Sequence, residues 1–417
     1  MSGNNNYTGK ANTGRRAYAS SQSSGRRLSG EQQGSWLVRT TAELSETLHD
    51  HSRGFDMPLF IIIVALLVIG LLSMYSASYA YAYQYYKGNS NYFIIRQATF
   101  AALGFVIMLG VSLFPTRWFK KWLKPLMAGS AALLVLVLFL PKIEYVHRWI
   151  NLGFTTFQPS EIAKFAVILF CAYWAEKQAK LENNFKNTVL PYMLVAGATC
   201  VLLVLEPHIS CIILVLLITV TIMFVAGVRL KWFAVLGVPT IGILTAVVFS
   251  GIIPYSRDRV NVWIDPFVDK YGKGWQNIQA LYAISSGGLL GVGMGNSRQK
   301  YLYISEPQND FVFSVVCEEL GFVGAVVIIL LFLAFVLRGI AVSASNPNRF
   351  CKMLGIGITA QIGWQVFLNI AVVTKTIPNT GISLPFFSYG GTSLVMLLFE
   401  MGVLLALSRT STAKRIF

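Results

Sequence analysis

The chain has 417 residues and a net charge of +16, yet only 12% of its residues are charged, 55% are hydrophobic and the mean hydropathy is +0.59. Ordinary globular chains carry roughly 25% charged residues, so this composition excludes a soluble globular domain and points to an integral membrane protein. The positive balance would suit nucleic acid, but the basic residues cluster between apolar runs, where they mark topology, and no nucleic-acid partner is expected.

Residues 1–57 are rich in Ser, Gly, Asn and Arg and hold no apolar segment resembling a signal peptide, so a disordered cytoplasmic tail is expected, with docking of a partner or contact with anionic lipid as its open alternatives. Ten apolar runs follow, at about 58–77, 93–114, 123–141, 159–176, 189–206, 209–228, 232–252, 311–337, 353–374 and 384–407. Each approaches the roughly 20 residues needed to span a bilayer as a helix. None alternates with period two, and lipid cannot satisfy open backbone groups, so an all-α protein with ten transmembrane helices is predicted over a barrel. Basic residues cluster in loops that fall on one side of the membrane: Arg117, Lys120, Lys121 and Lys124; Lys177, Lys180 and Lys186; Arg229 and Lys231; Arg338, Arg349 and Lys352; then Arg409, Lys414 and Arg415. The positive-inside rule then puts both termini and the 408–417 tail in the cytoplasm, and makes 253–310, between the seventh and eighth helices, a large exocytoplasmic loop.

The first polar motif reads His147, Arg148, Trp149, then Gln158, Pro159, Ser160, Glu161 and Lys164. Glu161 and Lys164 stand three apart at a helix start and share a face, so they can neutralise each other, either as structural glue or as the floor of a polar cavity. Within 253–310, acidic and basic residues nearly balance. There Gly287, Gly288, Gly291, Gly293 and Gly295 precede Arg298 and Lys300. Glycines let backbone amides approach a phosphate, though the same run also reads as a flexible loop. Asp310 closes this segment at the mouth of the next apolar run. It is a natural catalytic base for a lipid-borne substrate and equally a helix cap, as is Asn309. Glu318 and Glu319 lie roughly 12 Å deeper at 1.5 Å per residue, and one of them is expected to pair with a basic residue in the bundle. A last string, Gly381 to Ser393, opens the tenth run, where small residues permit close helix packing. Four of the five cysteines fall in apolar runs. No disulfide framework, zinc spacing, nucleotide loop or dinucleotide fingerprint is visible.

Three separated strings, Arg148-Trp149 with Gln158 to Glu161 and Lys164, Glu306 to Phe311 with Glu318 to Gly321, and Leu384 to Ser393, resemble the FtsW, RodA and SpoVE family of cell-wall polymerases across 58–407. The tract Glu306-Pro307-Gln308 and the long N-terminal tail are more similar to the division and sporulation branches than to RodA. The resemblance implies a peptidoglycan glycosyltransferase that polymerises lipid II on the outer face of the cytoplasmic membrane, with Asp310 as general base. It also implies supporting roles for Glu161 and Lys164, for the loop residues Arg148, Arg259, Gln279 and Lys300 in binding sugar or pyrophosphate, and for Ser388 in the last motif. The family often has Gln-Pro-Asp-Leu-Gly after the fifth helix. Here Glu206, Pro207, His208, Ile209 and Ser210 stand instead, which removes any role of that aspartate. A class B penicillin-binding protein is the implied partner, beside other division proteins. A divalent cation would suit the pyrophosphate, although no metal-binding spacing shows one. A lipid II flippase and a noncatalytic division scaffold remain as alternatives of other classes.

Overall fold

The computed structural model describes residues 54–141, 147–153, 155–181, 184–235, 237, 242, 254–272 and 274–411. The expected tail up to residue 53, most of the expected span 232–252 and residues 412–417 of the expected C-terminal tail lie outside the described residues.

Helix α1 (Met57–Tyr85) opens on Asp56, whose side chain accepts from the Leu59 amide at 3.0 Å, with Pro58 in the first turn where its missing N–H costs nothing. It outlasts the apolar run at 58–77 because Ala, Ser and Tyr continue it without a breaker. Then come α2 (Tyr92–Ser112), α3 (Leu123–Leu138), α4 (Pro159–Gln178), α5 (Leu190–Leu205), α6 (Ile209–Val225), α7 (Pro254–Ile264), α8 (Trp275–Ser286), α9 (Val312–Ala344), α10 (Arg349–Val373) and α11 (Gly391–Thr410). Before α4, strands β1 (Ile150–Asn151) and β2 (Thr156–Phe157) form a small antiparallel hairpin. Among the described residues, α1, α2, α9, α10 and α11 are long and apolar enough to cross a membrane, and α3, α5 and α6 are shorter apolar helices. The protein is therefore a helical, multi-pass membrane protein. The large segment after residue 253 is not a simple loop, since it contains α7 and α8.

Buried α10 packs against α4, α6, α9 and α11, and α2 lies along α11. At the end of the bundle away from Asp310, Arg338 grips Asp56 with both ends of its guanidinium, at 3.0 and 2.6 Å. All five cysteines are free.

Helix α9 is broken at Gly321, which has φ of 67° and ψ of −169°. A break orphans backbone groups that lipid cannot satisfy. The glycine run supplies the partners: Val292 and Gly293 amides donate to the Glu318 and Glu319 carbonyls, both at 3.0 Å, and Phe322 and Val323 amides donate to Gly288 and Leu289 carbonyls at 2.9 and 3.1 Å. A Cβ at Gly291 would stand 2.2 Å from the Glu319 carbonyl oxygen, so the backbones touch and only glycine fits. The Val292 and Gly293 amides are thus spent on a helix and are not open to a phosphate.

The carboxylates beside the break are spent as well. Glu318 accepts from Ser297 Oγ at 2.5 Å and from the Arg298 and Gln299 amides. Glu319 takes Lys300 Nζ at 2.8 Å and Ser76 Oγ at 2.7 Å, and both members of the ion pair are almost wholly buried. The expected basic partner of one of the glutamates is thus Lys300, paired with Glu319. A second difference lies at the C-terminal motif. Helix α11 starts at Gly391 and not at 384, because Pro385 follows Leu384 and the Ser388 hydroxyl, bonded to the Leu384 amide at 2.8 Å, holds 384–390 as a turn.

Candidate active site

Asp310 immediately precedes α9 but does not cap it. The N-cap position falls on Phe311, and no side chain bonds the first turn. The carboxylate is half-buried and receives no hydrogen bond among the described residues, whereas its main chain is held firmly. The Asp310 carbonyl accepts from Asn369 Nδ2 at 2.8 Å. Next to it, the Asn309 carbonyl accepts from Ser388 Oγ at 2.8 Å, and the Gln308 carbonyl from the Tyr389 amide at 2.8 Å. A fixed backbone with an uncommitted carboxylate is the arrangement a general base needs.

Two cations face it from different elements. Arg148, just before the hairpin, clamps the turn between α5 and α6 by donating to the Glu206 and Pro207 carbonyls. Arg259, on α7, donates to the Asn379 carbonyl at 2.7 Å. Burial pushes the Asp310 carboxyl up to about 6; Arg259 opposes that rise, Glu306 adds to it, and Arg148 opposes it in turn. Near neutral pH the group is ionised but close enough to its pKa to accept a proton.

From the end of α10 a strap of residues 375–382 runs past Asp310 at Gly381, and its carbonyls are gripped by side chains from other elements. Trp263 holds Lys375 at 3.0 Å, Arg259 holds Asn379, Ser210 holds Thr380, and Asn369 holds Ile382 at 2.7 Å. Asn369 is fully buried and ties Asp310 to the strap with one amide group. Sequence reasoning passed over it. The available signal was Gln361, Gln365 and Asn369, polar residues spaced by four along an apolar helix, hence on one face.

That face leads to the second expected pair. Lys164 Nζ meets Glu161 at 2.9 Å, Lys164 being deeply buried and Glu161 partly so. Glu161, Gln361, Gln365, Ser383, Phe386 and Ser388 line a cavity of about 30 Å³, room for about two waters. The pair therefore lies beside a polar cavity that Ser388 shares, and Ser388 links this cavity to the Asp310 loop. Glu400, buried and bonded by Gln361 at 2.7 Å, is within electrostatic reach of Lys164.

Not every expected residue arrives here. Lys300 is locked to Glu319, Ser76 and the Gly295 carbonyl, so its ammonium is committed to the bundle. Gln279 is buried on α8 and forms no hydrogen bond to Asp310. His208 meets Gln158 at 3.5 Å in the clamped turn. No cluster of three or more His, Cys, Asp or Glu suited to a metal occurs among the described residues.

Comparison with known proteins gives this arrangement its family. Residues 57–413 match the FtsW, RodA and SpoVE family, described as cell cycle proteins. The chain belongs to the FtsW, RodA and SpoVE family. Within it, the stage V sporulation protein E of Bacillus subtilis is 38% identical over 360 residues, covering 85% of this chain and 97% of that protein. A protein named probable peptidoglycan glycosyltransferase FtsW, from Geobacter sulfurreducens, is 35% identical over 358 residues and covers 85% of this chain and 95% of its own. Among solved structures, one from a peptidoglycan synthase complex described as coordinating polymerisation and crosslinking superposes with a TM-score of 0.72 at 28% identity, covering 85% of this chain and 98% of that one. The rod-shape-determining protein RodA of Thermus thermophilus gives 0.62 at 26%, covering 86% and 98%.

Removing one member of the Glu161–Lys164 pair leaves an unpaired charge in a low-dielectric site. Each single alanine variant should therefore melt earlier. The charge swap Glu161→Lys with Lys164→Glu should regain stability without regaining activity, since the cavity is lined asymmetrically. Full activity in the swapped protein would reduce the pair to glue.

Proposed function

We propose that this protein is a peptidoglycan glycosyltransferase that polymerises lipid II into β-1,4-linked glycan during cell division, on the outer face of a membrane it crosses ten times, with both termini cytoplasmic. The observation that supports this reading is the Asp310 carboxylate: uncapped, half-buried, pushed up to about 6, and presented on an immobilised loop. Asp310 takes the proton of the acceptor GlcNAc 4-hydroxyl while that oxygen bonds to the anomeric carbon of the donor MurNAc. The bond from that carbon to the diphosphate oxygen breaks, and undecaprenyl diphosphate departs with the electron pair. One displacement inverts the α-linked donor to a β link. The leaving group carries its own charge, so no separate acid is required, in contrast to glycoside hydrolysis.

Arg148 and Arg259, whose charges already act on Asp310, balance the charge developing on the diphosphate in this reading. Glu306 is the carboxylate whose charge acts on Asp310, and a divalent cation on the diphosphate would face these two groups. The relatives named FtsW and the neighbouring synthase complex support a class B penicillin-binding protein as partner, crosslinking the strands made here.

The test is purified protein, with and without such a transpeptidase, given labelled lipid II and assayed for glycan strands by gel. Strands are the expected result. Normal lipid II translocation in liposomes with no strand under any condition would replace this reading with a flippase.

A further inference from the structure

Five tyrosines, Tyr79, Tyr81, Tyr83, Tyr85 and Tyr86, fall within eight residues at the end of α1. Residues four apart share a helix face, so they part into two groups. Tyr79 and Tyr83 continue the exposed stripe of Leu72 and are the aromatic belt expected where a helix leaves lipid. Tyr81 and Tyr85 turn the other way. Their ring centroids lie 4.5 Å apart, and Tyr81 leads on to Phe93 of α2 at 6.0 Å. Phe93, itself buried, also meets Tyr86 and Tyr92, each at 5.2 Å, and Tyr389 at 4.8 Å, while Tyr86 stacks on Tyr92 at 3.7 Å. A continuous aromatic surface thus runs from Tyr85, which is 62% exposed, to Tyr389 in the C-terminal motif. It is fastened to the active-site loop. The Tyr389 amide donates to the Gln308 carbonyl at 2.8 Å, and Gln97 of α2 bonds the Ser388 carbonyl and the Gly390 amide, both at 3.2 Å.

We propose that Tyr85, Tyr86 and Tyr92, braced by Phe93 and Tyr81, form a platform for the hexopyranose units of the glycan strand as it leaves Asp310, an inference that rests on the polymerase reading. Height separates the platform from a membrane belt. The apolar run 58–77 already matches the hydrocarbon core of about 30 Å, and the residues after it carry Tyr85 roughly 12 Å farther at 1.5 Å per residue. The headgroup layer adds only about 5–8 Å on each face, so Tyr85 stands in water. Arg96, exposed one turn after Tyr92, puts the start of α2 outside the hydrocarbon as well, and its guanidinium lies 4.4 Å from the centre of the Tyr92 ring. The chemistry matches a sugar. A pyranose ring carries C–H groups on its faces and hydroxyls at its rim; the faces lie on aromatic rings, while phenol hydroxyls and the exposed Gln84 and Asn89 meet the rim. Rings already packed on one another lose little freedom when a ligand arrives. A strand held here between additions is released less often, so the platform sets strand length.

Strand length, compared at equal lipid II consumption, tests the platform. Tyr85→Ala with Tyr92→Ala should shorten the mean strand at least about threefold, the scale of losing two aromatic contacts from a weakly held ligand. Tyr79→Ala with Tyr83→Ala, on the lipid-facing stripe, should keep the wild-type length. Wild-type strands from the first pair, or equal shortening from the second, would overturn the platform. A second measurement needs no turnover. With p-benzoylphenylalanine in place of Tyr85 in the Asp310→Asn protein, irradiation should capture preformed, lipid-free, labelled glycan strands and capture labelled lipid II several-fold less. Equal capture of both, or of neither, counts against the platform. Failure of the unmutated protein to form strands counts against the polymerase reading, whereas strands whose length ignores Tyr85 and Tyr92 count against the platform alone.

Discussion

Asp310→Ala and Asp310→Asn lose glycan polymerisation by a factor on the order of 10² to 10⁴, the usual contribution of a general base, while lipid II binding and membrane insertion persist. The measurement is initial rate of strand formation with matched protein amounts. Only the side chain is removed; the contacts that hold this loop are to the carbonyls of Gln308, Asn309 and Asp310, and they survive both substitutions. The pH profile gives an independent check. Because the carboxyl titrates at about 6, the base is ionised above that value and the rate should decline as pH falls through it. Stability runs in the opposite direction. The folded group binds its proton more tightly than the unfolded chain, so its contribution is fully present below the unfolded value of 3.8 and is lost as pH rises through about 6. Asp310→Asn should then melt slightly higher than wild type at pH 7.5 while being inactive. Equal melting and near-normal rates would reduce Asp310 to a loop residue.

The largest structural effect is expected at Lys300 and Glu319. Both are almost completely buried, their ion pair is 2.8 Å long, and Ser76 bonds both partners, which joins α1 to the broken part of α9. Breaking such a pair from one side costs about 3 to 5 kcal/mol, since it strands a charge away from water. Lys300→Met or Glu319→Leu alone should sharply lower the melting temperature in detergent and reduce yield. The double variant should recover much of that loss, because an apolar pair of similar volume is tolerated where a lone charge is not. Single variants that melt like wild type, or a double variant worse than both, would contradict this account. A substrate-binding role for Lys300 predicts the reverse pattern, with normal melting and impaired turnover.

Hydropathy revealed the long helices because lipid imposes a length and forbids unpaired backbone, and both constraints are written locally. Spacing also revealed Glu161 with Lys164, since three residues in a helix return to one face. What spacing cannot show is a partner far along the chain. The glycines at 287–295 suited a phosphate as well as they suited Gly321, and nothing near them in sequence says that the answer is a helix some thirty residues on. Lys300 looked like a loop cation because its burial depends on Ser76, over 200 residues earlier. The start of α11 was misplaced for a nearer reason: Leu384 to Phe387 is apolar enough for a span, and the decisive bond is made by the Ser388 hydroxyl. Asn369 could have been found, since an amide every fourth residue is out of place on a face bordered by lipid-like side chains.

The break at Gly321 divides α9 into two pieces. The short piece follows closely on Asp310 and the long piece continues to Arg338 and its clamp on Asp56, and main-chain bonds sew both to the glycine run, Glu318 and Glu319 through their carbonyls and Phe322 and Val323 through their amides. A rod would carry a twist or tilt from one end of the bundle to the other. Two pieces joined at a non-helical glycine are held separately, and because the glycine run bonds the backbone on both sides of residue 321, the segment next to Asp310 is anchored to that run as well as to the rest of the helix.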